Sequence, residues 1–301
     1  VRCGGQEMVL RRPPFGANVK SGHDMGREFR ILSALHPVFG RVPRPVLYCG
    51  DGSVLGAEFY LMERVPGAIL RRAAPEGLAG SGQMARLSAD AADCLAEIHA
   101  IDLEASGLAG LGRPEGYVRR QVEGWTRRYA RARTDDIPEM EAVSAWLAEN
   151  MPAEAGAALI HNDYKYDNLV LDPDTLGIRA VLDWEMATVG CPLMDLGAAL
   201  GYWVEEGDSP IMKHAAFCPT HLPGNLTRLG FAERYAERAG TALPPLVFYY
   251  VYGLWRIAVI IQQIYARYKA GHTKDPRFAG LGAMVRLLAL QAAQSIDKDQ
   301  I

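Results

Sequence analysis

Hydrophobic and polar positions change rhythm twice along this chain. From Glu7 to Arg12, EMVLRR predicts a short strand, which Pro13 and Pro14 stop because proline donates no ladder hydrogen bond. A loop with Gly16 and Gly22 follows. In DMGREFRILSAL, residues 24 to 35, Met25, Phe29, Leu32 and Leu35 recur at helical spacing and Asp24 is available as an N-cap, so one amphipathic helix is predicted. PRPVLYCGDG and GAEFYLMERVPG then predict two strands, each bounded by glycine or proline turns. Beyond Gly67 the period lengthens, predicting helices over about 83 to 100, 117 to 132 and 139 to 150, with Trp125 and Trp146 supplying bulk. A hairpin interrupts them, NLVLD and IRAVLD around a turn with Pro173, Asp174 and Gly177, and helical patterns resume from about 192 to the end.

The order strand, helix, strand, strand, followed by a mainly helical remainder, predicts an α+β protein with two lobes. Residues 1–66 form the small β-rich lobe and 67–301 the large helical one, divided at the Pro66–Gly67 turn. At 301 residues and 49% hydrophobic, the chain can bury a large core, and a cleft between lobes is expected. The formal net charge of −3, with basic residues scattered, removes the electrostatic case for nucleic acid or a membrane surface. Small-molecule or protein partners remain. The apolar run Leu246 to Ile261 contains Arg256, and a charge at the centre of a span costs roughly 2.5 to 3.5 kcal/mol, so a buried helix is expected. An inward arginine there needs an anion, either a structural carboxylate or an acidic group of a substrate. Tyr249, Tyr250 and Tyr252 read as core aromatics. Five scattered cysteines, with no CxxC pair, are expected to be reduced thiols of a cytoplasmic protein. The given sequence starts at Val1 rather than Met and opens on no basic-plus-apolar segment, so residues before it are expected.

Chemistry concentrates in LIHNDYKYDNLVLD. Asp163 and Asn168 stand between an apolar lead-in and the first hairpin strand, in a loop fixed at both ends. Phosphoryl transfer needs a carboxylate to orient and deprotonate an attacking hydroxyl and a neutral oxygen ligand for Mg²⁺, which is the pattern H-x-D-x-x-x-x-N. That pattern is complete here. Asp183, in VLDWE, ends the second strand, so the turn returns a second carboxylate beside the loop, where it would hold the metal ions that bridge the phosphates. His161 suits packing and hydrogen bonding that shape the loop.

Through VLRRPP, REFRIL, FYLMERVPG, HNDYKYDN and AVLDWEMATVGCPLMDLG, nearly the whole chain resembles the aminoglycoside phosphotransferase and choline kinase group, closest to the branch associated with acyl-CoA dehydrogenases. The resemblance implies a protein-kinase-like fold that transfers the γ-phosphoryl of ATP, with Mg²⁺, to a hydroxyl of a small metabolite, and a functional link to acyl-CoA dehydrogenases. It implies Asp163 as catalytic base, Lys165 as a cation near the transferring phosphoryl group, and Asn168 and Asp183 as Mg²⁺ ligands. It also implies Arg11 as the phosphate-holding cation, or Arg12 if the register shifts by one, with Glu28 orienting it. Backbone groups near Glu63 to Val65 would meet the adenine edge. Asp195 is implied to be a structural residue capping a helix. With only ten residues before Arg11, the strands covering the phosphates are expected to be incomplete, which keeps a catalytically weak nucleotide- or metabolite-binding module as the alternative. A protein kinase is disfavoured, since Trp184 and Glu185 replace the Phe-Gly that would follow the metal-binding Asp and no A-P-E motif is present.

Overall fold

The computed structural model describes residues 1–3, 5–13, 24–73 and 80–301. Its first strands, β1 (Arg2–Cys3) and β2 (Gln6–Arg11), turn at Gly5, whose φ of +83° is open to glycine without cost. Gly4 and the loop predicted around Gly16 and Gly22 lie outside the described residues. Helix α1 (Met25–Leu35) starts where predicted, the Asp24 carboxylate accepting the Arg27 backbone N–H at 2.7 Å. Its buried stripe holds Met25, Ile31, Leu32 and Leu35, and also the charged Glu28. Strand β3 (Pro45–Cys49), the short α2 (Gly52–Leu55) and β4 (Phe59–Glu63) follow; α2 is too brief to show a period and was not predicted. The strands form one antiparallel sheet in the order β1-β2-β4-β3, in which Arg11 pairs with Tyr60 and Met8 with Glu63.

The rest is mainly helical. Helices α3 (Ser81–His99), α4 (Tyr117–Ala132) and α5 (Pro138–Glu149) lie within two residues of their predicted bounds. Strand β5 (Ala158–Ile160) then leads to the predicted hairpin β6 (Leu169–Leu171) and β7 (Ile178–Val181), and β8 (Thr188–Gly190) returns to pair with β5. The β5–β8 ladder escaped prediction because β5 is buried at all three positions and shows no alternation. The connection after β4 is stitched to the hairpin by reciprocal Ala68–Leu171 backbone bonds of 2.9 and 2.8 Å, and a Cβ at Gly67 would fall on the Leu171 carbonyl.

Helices α6 (Pro192–Gly201), α7 (Pro210–Ala215), α8 (Arg228–Ala239), α9 (Val247–Lys269) and α10 (Leu281–Lys298) complete the chain. By length and composition α9 and the segment 276–298 are apolar enough to cross a membrane, but α9 is a core helix packed against α4, α5, α6 and α10. Tyr249, Tyr250 and Tyr252 are buried in it, as expected. Cys49, Cys94, Cys191 and Cys218 are free thiols.

Candidate active site

The loop after β5 is held from behind. His161 is fully buried, and its Nε2–H donates to the Leu182 carbonyl at 2.9 Å while Nδ1 accepts the Asp163 backbone N–H at 3.2 Å. Each ring nitrogen thus has one role, which defines a neutral imidazole. Burial pushes its pKa down, against the opposing pull of Asp195 and Asp163. The ring stands edge-on to the fully buried Trp184 at 4.8 Å. His161 therefore shapes the loop, as expected.

Asp195 corrects one expectation. It lies in the first turn of α6, but it does not cap that helix; its two oxygens accept the backbone N–H groups of His161 and Asn162, each at 2.7 Å. The His99 ring contacts it at 3.1 Å. Burial alone would raise the Asp195 pKa, but the His99 hydrogen bond and the charge-favouring contacts around it prevail and hold the carboxyl below its ordinary range. Asn162, the residue so gripped, has φ 66°, a left-handed conformation that asparagine tolerates better than most residues.

Asp163 emerges from this frame beside Lys165 and Asn168. Lys165 pairs with its Oδ2, and the Asn168 amide donates to its carbonyl at 2.8 Å and to Oδ2 at 2.9 Å. Lys165 Nζ also stands 4.9 Å from the Tyr202 ring centroid. Because both oxygens facing the Asn168 side chain are acceptors, its NH₂ must point to them, and the Asn168 Oδ1 points elsewhere. The hairpin then returns Asp183: Leu169 pairs with Val181, and the Leu182 N–H donates to the Asn168 carbonyl at 2.8 Å. Strand β7 ends at Val181, so Asp183 lies just past it, in a left-handed conformation with φ 65°.

Across the cleft, Arg11 on β2 donates to Asp183 Oδ1 at 3.1 and 3.2 Å and reaches Glu28 at 3.3 Å and Glu185 at 3.5 Å. It is Arg11 whose contacts with Glu28, Asp183 and Glu185 are formed in this way. Burial pushes the Glu28 carboxyl up to about 7, with Arg11 working against it; Arg11 itself is desolvated but held above its ordinary value by Glu28, Tyr60 and Asp183. Helix α1 is also tied to the segment beyond Asp183, since Arg27 Nη1 donates to the Glu185 carbonyl at 3.0 Å and Nη2 to that of Ala187. Glu63 is exposed at the end of β4, its backbone N–H on the Arg44 carbonyl at 2.9 Å, and Val65 follows half-buried in the connection. Among the described residues neither forms a hydrogen bond or ion pair with Asp163, Asn168 or Asp183.

The donor set suits Mg²⁺. Asn168 Oδ1 and the Asp183 carboxylate are hard oxygens on adjacent strand ends, and Asp183 Oδ2 accepts no hydrogen bond among the described residues. No group of three His, Cys, Asp or Glu residues suited to a metal occurs among them. Mg²⁺ keeps several waters and binds through one or two protein oxygens plus phosphate. Arg27, Glu185, His99 and the true contacts of Asp195 were missed from sequence. Only Glu185, two residues from Asp183, carried a positional hint.

The family model described as the phosphotransferase enzyme family matches residues 1–243. Among curated relatives, acyl-CoA dehydrogenase family member 11 of Gallus gallus is 37% identical over 95% of this chain and 37% of its own length. The Homo sapiens protein of that name is 34% identical over 90% and 35%. This chain therefore spans little more than a third of these relatives. Among solved structures, a Ralstonia eutropha protein described as an aminoglycoside phosphotransferase superposes with a TM-score of 0.83 at 28% identity, covering 98% of this chain and 87% of that one. The GDP complex of aminoglycoside 2′-phosphotransferase-IIIa gives 0.61 at 15% identity, over 97% and 88%, and supports the two-lobe kinase-like fold. The chain belongs to the phosphotransferase enzyme family, whose chemistry delivers a phosphoryl group to an alcohol.

Proposed function

We propose that this protein transfers the γ-phosphoryl group of Mg·ATP to a hydroxyl of a small metabolite. The supporting observation is the convergence of Asp163, Asn168 and Asp183 with the Arg11–Glu28 pair, Arg11 and Asp183 being brought together across 172 residues of chain by β2 and the β6–β7 hairpin. Asp163 orients the acceptor hydroxyl and takes its proton as the new oxygen–phosphorus bond forms and the bond from the γ-phosphorus to the bridging oxygen of ADP breaks. Asn168 and Asp183 would hold Mg²⁺, which supplies charge neutralisation at the phosphates. Lys165, already at Asp163, stands where it can neutralise charge on the transferring group. Arg11, oriented by Glu28, is the cation for the phosphates, and an arginine fork in place of a lysine point charge offers two donors at once. Backbone groups from Glu63 to Val65 would meet the adenine edge.

Assays with labelled ATP and a panel of metabolites test this reading. Asp163→Asn is expected to abolish transfer while Mg·ATP binding persists, and Asp183→Ala to lose metal-dependent nucleotide binding. Equal ATP affinity with and without Asp183 would sink the metal assignment. The names of the relatives also support work beside an acyl-CoA dehydrogenase, a proposal about the pathway and not about this site.

A further inference from the structure

Helix α1 carries a second pair of positive charges, beside the machinery already described. Arg27 and Arg30 stand three residues apart and share one face of the helix with Ile31 and Ala34. The Arg27 guanidinium donates to the Glu185 and Ala187 carbonyls, which are neutral, and the Asp24 carboxylate accepts its backbone N–H rather than its side chain. Arg30 is exposed, and its side chain forms no ion pair or hydrogen bond among the described residues. Neither guanidinium is therefore paired with a carboxylate there. Burial pulls the Arg27 pKa down and the Arg30 charge adds to that pull, against Asp24, as expected of a positive site without its counter-charge.

A cavity of about 320 Å³ opens on both side chains. Its remaining lining comes from Ile31 and Ala34 of α1 and from Gly107, Leu108, Gly110 and Leu111 in the loop before α4. An added Cβ at Gly107 or Gly110 would meet nothing within 4 Å, so this wall is bare backbone that a ligand can approach closely. The loop is fixed in place: the Leu108 and Ala109 N–H groups donate to the Leu103 carbonyl at 2.8 and 3.0 Å, and a Cβ at Gly112 would fall on Thr188 and Val189 of β8. The cavity is thus built between α1 of the small lobe and a loop pinned to the large one. Its volume falls at the lower end of small-molecule sites, roughly 300 to 1,000 Å³. None of Arg11, Glu28, Asp163, Lys165, Asn168 and Asp183 lines it.

We propose that this cavity is a separate ligand site that takes a phosphoryl anion, free or as the monoester of a small molecule, between Arg27 and Arg30. Two guanidiniums without carboxylate partners suit a phosphoryl dianion better than a carboxylate, which brings one charge. Arg30 offers its whole fork, and Arg27 keeps its Nε–H, which no acceptor takes among the described residues. Ile31, Ala34, Leu108 and Leu111 supply apolar surface for the body of an ester. The site adjoins the tie from Arg27 to the segment after Asp183, yet it stands independently of the phosphotransferase reading, since no residue assigned to that reaction lines it.

Titration calorimetry at fixed ionic strength tests this with inorganic phosphate, n-butyl phosphate and butanoate. Butyl phosphate is expected to bind at least about tenfold more tightly than butanoate, the discrimination of one further charge-assisted contact. Arg30→Gln should weaken phosphate binding at least about tenfold, and Arg30→Glu should abolish it. Arg30 is exposed, so neither change disturbs the core, and circular dichroism checks the fold. Asp183→Ala, which disables the proposed metal site, should leave phosphate binding at this cavity unchanged. Butyl phosphate binding more tightly than inorganic phosphate would identify an ester as the occupant, and equal binding would identify the free ion. Either result supports the site. No binding of either phosphate, butanoate binding as tightly as butyl phosphate, or binding that survives Arg30→Glu would overturn it. Binding lost in Asp183→Ala would overturn it as well, by placing the phosphate in the catalytic cleft.

Discussion

Glu28 occupies a position on the buried stripe of α1 where packing alone would select leucine or isoleucine. Its carboxylate faces Arg11 at 3.3 Å, and its burial shows as a carboxyl raised from 4.5 to about 7. Between those values the folded chain binds more protons than the unfolded one, so stability falls as pH rises from 4.5 toward 7 and levels off above. The loss amounts to about 3 kcal/mol at most. Glu28→Gln should remove this slope, so that melting curves of the two proteins converge or cross as pH rises through the window; parallel curves from pH 4 to 8 would refute it. From sequence, the type and spacing of Asp163, Asn168 and Asp183 were legible because the chemistry restricts them to few residues. The grip of Asp195 on the loop was not, since an acidic residue in the first turn of a helix reads locally as a dipole or capping residue. Its actual partners lie 33 and 34 residues away.

Helices α6 and α9 decide where those residues stand. They cross backbone to backbone: a Cβ at Gly253 would fall on the Gly197 carbonyl, one at Gly197 on the Tyr249 carbonyl, and one at Gly201 would lie 2.8 Å from the Gly253 carbonyl carbon. The crossing holds Asp195 under the loop. Helix propensity alone would make Gly→Ala favourable by about 1 kcal/mol. At Gly253 the neighbour is backbone and cannot yield, so Gly253→Ala should instead destabilise by at least about 3 kcal/mol. Gly124 in α4 is the control, since its added Cβ meets only the end of the Arg128 side chain at 3.5 Å, and Gly124→Ala should be neutral or stabilising. Chemical denaturation of both variants checks the pair, and equal effects would show that the crossing is not tight. The period of α9 was readable as a buried helix, but which glycine approaches which helix depends on a contact between segments about fifty residues apart, for which local pattern carries no signal.

At the scale of the whole molecule, the Arg11 contacts to Asp183 and Glu185 join the small sheet to the hairpin of the helical lobe. A ligand bound across both sides should therefore stabilise the chain as a unit. Mg·ATP at a hundred times its dissociation constant is expected to add about 2.7 kcal/mol to the unfolding free energy. The resulting rise in Tm should disappear in Asp183→Ala, and ATP that stabilises both proteins equally in the presence of Mg²⁺ would contradict the proposed site. The sequence by itself determined β2, α1, β3, β4 and the first long helices in their order, the hairpin, the loop HNDYKYDN and the residue types able to handle a phosphoryl group, because periodicity and turn chemistry are local and the reaction tolerates few substitutes. Only the tertiary structure decided that Arg11 faces Glu28, that Asp195 supports the loop instead of a helix end, and that Arg256 pairs with no carboxylate among the described residues. Each of these depends on which distant group fills the space around a buried charge, and that is settled by packing between segments remote in sequence.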